Sequence, residues 1–189
     1  MCSKRFSFSY WKEIISKDPV KAVRQFFDRI DSISKVERAA ALSCLVKEKE
    51  LTNSFINAVE FLDQPLGCIP YFFKDLFDVH PYPTQCGSTL LQKVRPTPDK
   101  SCNLFKEMAN KGSIFCGKTH MNEFAYGLDG LNTHFGDCPH PKFPERLSGG
   151  SSSGSAWAVG KGIIPLAFGT DTCLLYTSDA ADDTPCVDL

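Results

Sequence analysis

The sequence has 189 residues, a formal net charge of −1, 42% hydrophobic residues and 23% charged residues. These values are typical of a globular domain and exclude a disordered, collagen-like or coiled-coil chain. There is no basic face and no apolar run of membrane-spanning length, so neither nucleic-acid binding nor membrane insertion is indicated. Nine cysteines occur at irregular intervals without a C-x-x-C pair, which indicates neither a zinc site nor a disulfide framework. We expect reduced thiols in a cytoplasmic protein.

The first third of the chain predicts three amphipathic helices. Asp18 and Pro19 fit an N-cap and a first helical position, and apolar residues then recur at helical spacing as far as Ile30. A second helix is predicted over about 35–51 and a third from about residue 53. We expect all three to be scaffold.

Two short apolar strands are predicted next, each ending on a lysine. The first stops at Lys74 and the second, 113–117, is followed by Lys118. A helix over about 101–111 separates them, and this alternation is typical of an α/β fold.

The chemistry of Lys74 depends on its surroundings. A lysine that closes a strand usually extends to solvent. If the aromatic strand before it removes water from its amine, the amine instead accepts a proton near neutral pH, an effect that Asp75 and Asp78 would oppose.

The segment 127–148 has no periodicity and predicts a long surface loop near the serines that follow it. His134 and His140 have no neighbours at metal-ligand spacing, so we expect solvated or locally hydrogen-bonded histidines and no metal site.

A glycine- and serine-rich stretch, 148–155, is the centre of the remaining chain. It leads into a predicted helix from Ser153 to Lys161 and then a buried strand, 163–168, whose tip is 169–172. Such a composition is also typical of flexible linkers, but the apolar flanks argue against one. The spacing of a phosphate-binding loop is absent, because Gly162 follows Lys161.

Four motifs in this order resemble the amidase signature family, over most of residues 60–172. They are the strand ending at Lys74, the segment 117–124, the serine loop 149–155 and the strand tip 169–172. The resemblance implies an α/β fold with a mixed central sheet covered by helices, of which residues 1–172 would be the N-terminal part. It also implies cleavage or transfer at a carboxamide through a Ser–Ser–Lys triad without a cofactor.

Carried over residue by residue, the resemblance makes Lys74 the base and Ser151 the bridging serine, held by a cis peptide bond. Thr170, Asp171 and Thr172 match the loop that supports the nucleophile. The implied partner is a small amide substrate, and association with amidotransferase subunits is a further possibility. Ser153 stands where the family commonly has glycine, which points weakly to members similar to allophanate hydrolase.

The resemblance ends after Thr172. The family continues with Gly-Gly-Ser, whereas this sequence has Cys173-Leu174-Leu175, so Leu175 holds the position of the nucleophile. Residues 173–189 resemble a translated transposon-end sequencing adapter, and we interpret them as non-native. We expect the chain as given to fold poorly and to lack amidase activity. The alternative is a non-catalytic binding module of the same fold.

Overall fold

The structure, a computed structural model, describes residues 7–171. The helices are α1 Phe8–Lys17, α2 Pro19–Asp31, α3 Lys35–Ala41, α4 Glu48–Ala58, α5 Thr89–Val94, α6 Asn103–Asn110 and α7 Ser153–Gly160. The strands are β1 Leu42–Leu45, β2 Pro70–Lys74, β3 Ile114–Thr119 and β4 Leu166–Phe168. In this part of the chain, no helix is both long enough and apolar enough to cross a bilayer.

The four strands form one mixed sheet in the order β1-β3-β2-β4. β2 is parallel to both β3 and β4, whereas β1 is antiparallel to β3. The predicted α/β fold with a mixed sheet is therefore confirmed. Because β2, β3 and β4 run in the same direction, their carboxyl ends meet at one edge of the sheet, where open α/β folds place their ligands.

The sheet is covered on both faces because alternate residues of β2 point to opposite sides. Phe72 joins a core with Trp11, Phe26 and Phe55 from the N-terminal helices. Phe73 belongs to a second cluster, formed mostly by aromatic residues on the other face. This double burial explains why β2 reads as an unbroken apolar run.

The predicted helix at α2 is confirmed, but the helix predicted over 35–51 is wrong. α3 ends at Ala41, and Leu42–Leu45 form β1 before α4 begins at Glu48. A segment of four residues has no periodicity that separates a strand from a helix, and here pairing with β3 decides the outcome. Helices α1 and α5 were not predicted, and β3 extends to Thr119, so Lys118 lies inside the strand.

Helix α7 packs very close to the elements beneath it. Its residue Gly154 donates its amide hydrogen to the His120 carbonyl oxygen at 3.1 Å. A Cβ at this position would overlap the backbone of Ala41 and His120. The missing side chain therefore brings the N-terminus of α7, and the serine loop before it, onto the carboxyl edge of the sheet.

Candidate active site

Lys74 is the last residue of β2, and its side chain is fully buried. Its Nζ atom lies 2.7 Å from Ser151 Oγ, 2.9 Å from Thr170 Oγ1 and 3.1 Å from the Thr170 carbonyl oxygen. The contact with Ser151 works in both directions, because an ammonium donates to the serine oxygen and a neutral amine accepts the hydroxyl proton. Three residues predicted from the sequence thus meet at the carboxyl ends of β2 and β4.

Two glycines shape the loop that carries Ser151. Gly149 has a φ of +76°, a left-handed conformation that glycine adopts without steric cost, and the Gly150–Ser151 peptide bond is cis. A Cβ on Gly150 would overlap Asn122 Oδ1. The loop therefore lies directly against Asn122, and the Ser151 hydroxyl faces Lys74.

Asn122 holds the serine loop, and it was not among the predicted site residues. Its backbone amide donates to the Ser151 carbonyl oxygen at 3.2 Å. Its side chain donates to Asp129 Oδ1 at 2.7 Å and to the Leu131 carbonyl oxygen at 3.0 Å, and accepts from the Gly130 amide at 3.2 Å. No local pattern signals this role, because the contact joins two segments that are distant in sequence.

Ser152 fixes the loop that contains Thr170, and it was also not predicted. Its Oγ accepts from the Thr170 amide at 3.1 Å and lies 3.1 Å from the Thr170 carbonyl oxygen, to which it donates. A Cβ on Gly169 would come within 2.7 Å of the same Oγ, so the two backbones approach closely. Ser152 therefore sets the position of the two Thr170 oxygens that contact Lys74.

The remaining predicted positions lie at or beyond the end of the described chain. Asp171 follows Thr170 and is exposed. Thr172, Cys173 and Leu175 lie outside the described residues, so their predicted roles stay predictions.

Lys118, which lies inside β3, has a different environment from Lys74. Its side chain is fully buried and forms an ion pair with the buried Asp75, with 2.6 Å between Nζ and Oδ1. The same Nζ donates to the Pro83 carbonyl oxygen at 2.7 Å and to Thr84 Oγ1 at 3.0 Å. Burial raises the pKa of Asp75, and the Lys118 ammonium opposes that rise.

The histidines of the described chain do not form a metal site. His120 is buried and stacks on Phe135 with ring centroids 4.1 Å apart, and burial lowers its pKa to about 4. His134 lies 2.9 Å from Glu123. Within residues 7–171, no cluster of three or more potential ligands could hold a metal ion.

The structure thus brings a buried lysine within hydrogen-bond distance of a serine that follows a cis peptide bond, at the carboxyl edge of an α/β sheet. Residues 21–173 match the family model described as Amidase. This match covers most of the chain, which therefore belongs to the amidase family.

The chain is similar to several curated members. It is 31% identical to a glutamyl-tRNA(Gln) amidotransferase subunit of Methanosarcina mazei, over 91% of this chain and 35% of that protein. It is 33% identical to indoleacetamide hydrolase of Pseudomonas savastanoi, over 71% of this chain and 30% of that protein. Among solved structures, allophanate hydrolase of Kluyveromyces lactis superposes with a TM-score of 0.76 at 28% identity, over 88% of this chain and 28% of that one. The chain thus spans about a third of the length of the curated relatives it matches.

Proposed function

We propose that residues 1–172 are the N-terminal part of an enzyme that cleaves, or transfers nitrogen from, a carboxamide C–N bond through a Ser–Ser–Lys relay. The observation that carries this proposal is the 2.7 Å contact between Lys74 Nζ and Ser151 Oγ, both in buried side chains. Across this contact a neutral lysine amine can accept the hydroxyl proton of Ser151, which is the role of a general base.

In the proposed relay, protons move from the nucleophilic serine towards Lys74 during attack and back again during collapse of the intermediate. A nucleophilic serine attacks the amide carbonyl, and its proton moves to Ser151 Oγ while the Ser151 proton moves to Lys74 Nζ. Collapse of the tetrahedral intermediate reverses this path and delivers the proton to the leaving amine. Thr170 accepts from Lys74 through its hydroxyl and carbonyl oxygens, which keeps Nζ directed at Ser151.

The nucleophile itself is absent from the sequence given. We propose that residues 173–189 are non-native and that the native protein continues after Thr172 with Gly-Gly-Ser. In that continuation the serine stands where Leu175 is now, and the glycine amides approach the developing oxyanion. With Cys173-Leu174-Leu175 instead, the chain has no amidase activity.

The substrate class is a carboxamide. The relatives named above act, by their names, on indoleacetamide, allophanate and glutamyl-tRNA(Gln), and the last of these names describes one component of an amidotransferase. An association with amidotransferase subunits is therefore part of the proposal. The six cysteines of the described chain are all free thiols, which supports a reducing, cytoplasmic location.

The replacement of Gly-Gly-Ser by Cys-Leu-Leu favours a second candidate function. A protein that keeps the fold and lacks the nucleophile would be a non-catalytic binding module. Genomic or transcript reads across the codon for Thr172 separate the two, because a Gly-Gly-Ser continuation supports the enzyme and a verified Cys-Leu-Leu supports the binding module.

The enzyme is tested with two variants of the protein that carries the native continuation. Lys74→Ala and Ser151→Ala should each lower kcat for a simple amide by roughly 10²–10⁴-fold, because each interrupts the proton path. Lys161→Ala and Ser148→Ala are matched controls: Lys161 is ion-paired with Glu37, and Ser148 lies in the same loop with its Oγ bonded to the Gly149 carbonyl oxygen. Near-normal turnover in either relay variant would refute the assignment.

A further inference from the structure

We propose that Lys118 and Asp75 form an ion pair that positions Lys74. The pair fixes the end of β2, and the Lys118 charge cancels that of the Asp75 carboxylate next to the base. This inference rests on the proposed role of Lys74. Neither side chain was assigned a role by the motif comparison, yet both are fully buried, and such burial requires a compensating partner for each charge.

The pair joins four segments at one point. The Asp75 carboxylate binds Lys118 on β3 and accepts from Ser43 Oγ of β1 at 2.9 Å and from the Gln85 amide at 3.3 Å. The Asp75 backbone is held as well, since its amide donates to the Thr119 carbonyl oxygen at 2.9 Å and its carbonyl oxygen accepts from the Cys86 amide at 2.9 Å. Every polar group of the residue that follows Lys74 is therefore engaged.

Consecutive strand residues point to opposite faces of a sheet, so Lys74 and Asp75 separate at the end of β2. Lys74 extends to the serine loop, whereas Asp75 extends to Lys118. The pair contacts neither Ser151 nor Thr170 in any hydrogen bond described for it, and it acts on the site through the backbone and through its charge. Lys118 and Asp75 are therefore positioning residues rather than catalytic ones.

Charge cancellation is the second effect of the pair. An unpaired carboxylate beside Lys74 would favour the ammonium form and oppose the action of the lysine as a base. Lys118 supplies the opposite charge 2.6 Å from the carboxylate, and Arg95 does the same for Asp78 at 3.0 Å. Both acidic residues that follow Lys74 in the sequence are thus paired with cations.

Two cysteines also lie next to the pair. Cys44 on β1 faces Lys118 in the strand register, and Cys86 follows Gln85 in the loop packed on Asp75. Burial raises the pKa of Cys44 to about 11 and also raises that of Cys86, so both thiols are neutral near pH 7. On the Lys74 face, the Ser151 and Thr170 hydroxyls lie within hydrogen-bond distance of Nζ, and Asp171 is exposed.

The test measures the acidic limb of the kcat/KM–pH profile in the protein with its native continuation. This limb reports the protonation of the base, Lys74. Asp75→Asn leaves the positive charge of Lys118 unbalanced and should move the limb to lower pH by about one pH unit. Lys118→Met leaves the negative charge of Asp75 unbalanced and should move the limb to higher pH by a similar amount. A purely structural pair would lower activity without moving the limb. Shifts of the same sign, or no shift in either variant, would overturn the proposal.

A double variant covers the case in which single variants fail to fold. Asp75→Asn combined with Lys118→Met buries no charge, so the limb should stay at its original pH, while kcat falls about tenfold at unchanged KM because the end of β2 is no longer fixed. A double variant with the original kcat would contradict the positioning role. The matched control is Asp78→Asn, which breaks a half-exposed pair three residues further on and should leave the limb in place.

A direct titration separates failure of this inference from failure of the proposed function. The ¹³Cε resonance of Lys74, assigned by its loss in Lys74→Ala, reports the protonation of the amine without any turnover. If the unsubstituted protein hydrolyses no amide, the proposed function fails, and opposite shifts of the Lys74 titration in Asp75→Asn and Lys118→Met still support the pair. Identical titrations in the three proteins would reject it.

Discussion

Lys74, the last residue of β2, and Lys118, which lies inside β3, are both fully buried, yet their contacts differ. The Lys74 Nζ atom lies within hydrogen-bond distance of the Ser151 hydroxyl, the Thr170 hydroxyl and the Thr170 carbonyl oxygen. Lys118 faces the Asp75 carboxylate. A serine hydroxyl can pass a proton to a neutral amine, whereas a carboxylate 2.6 Å away forms an ion pair. Burial is therefore common to both lysines, and the contacts of each amine distinguish them.

The largest expected difference between the two lysines is in their contribution to the free energy of unfolding. Lys118→Met should lower the free energy of unfolding by about 3–5 kcal/mol, because it leaves Asp75 as an uncompensated buried charge. Lys74→Met should cost no more than about 1.5 kcal/mol, since the Ser151 and Thr170 groups that it contacts are uncharged and methionine fills a similar volume. Urea denaturation of both variants measures the difference, and equal losses would show that the two lysines are equivalent.

The next largest loss of stability is expected at Gly150, in the loop that carries the Ser151 contact of Lys74. Gly150→Ala should destabilise the protein by about 2–3 kcal/mol, because the added methyl group overlaps Asn122 Oδ1 and displaces Ser151 from Lys74. Gly149→Ala is the control, since no atom lies within 4 Å of a Cβ there and only the left-handed backbone is penalised, by about 1 kcal/mol. Similar unfolding free energies for the two variants would contradict the close approach.

His120 is a third buried basic side chain, and it differs from both lysines because its Nδ1 has no hydrogen-bond partner among the described residues. Its pKa falls to about 4 in the folded protein, below the usual value of about 6.5, so the stability it contributes is complete above about pH 6.5 and is lost as the pH falls towards 4. The unfolding free energy should drop by about 2 kcal/mol more between pH 7 and pH 5 in the unsubstituted protein than in His120→Gln. Parallel pH dependences would show that His120 does not titrate differently on unfolding.

The sequence predicts the parts of the site that depend on local pattern. The strand ending at Lys74, the serine loop and the helix after it each follow from glycines, apolar runs and motif order, and the structure has them where they were expected. Strand β1 was missed because its four residues, Leu-Ser-Cys-Leu, are too few to distinguish a strand from a helix before pairing with β3 is known.

The supporting residues of the site could not be predicted for a related reason. Asn122 and Ser152 act through contacts with Ser151 and Thr170 that no local spacing encodes. The partner of Lys118 is likewise fixed only when β2 and β3 lie side by side. Asp75 was expected to oppose the basicity of Lys74, and its pairing with Lys118 depends on that tertiary arrangement.

The parallel pairing of β2 with β4 has a consequence for the order of folding. Lys74 and Thr170 are separated by 96 positions, and Lys74 and Ser151 by 77, so closing these contacts requires the ordering of a long intervening chain. Non-local pairings of this kind form slowly, whereas the helical hairpin of α1 and α2 needs only neighbouring residues. We expect amide protection during refolding to appear first in these helices and last in β4. The proton relay would then be among the last features to assemble, and a chain with a damaged site would pass through the same early steps as an intact one.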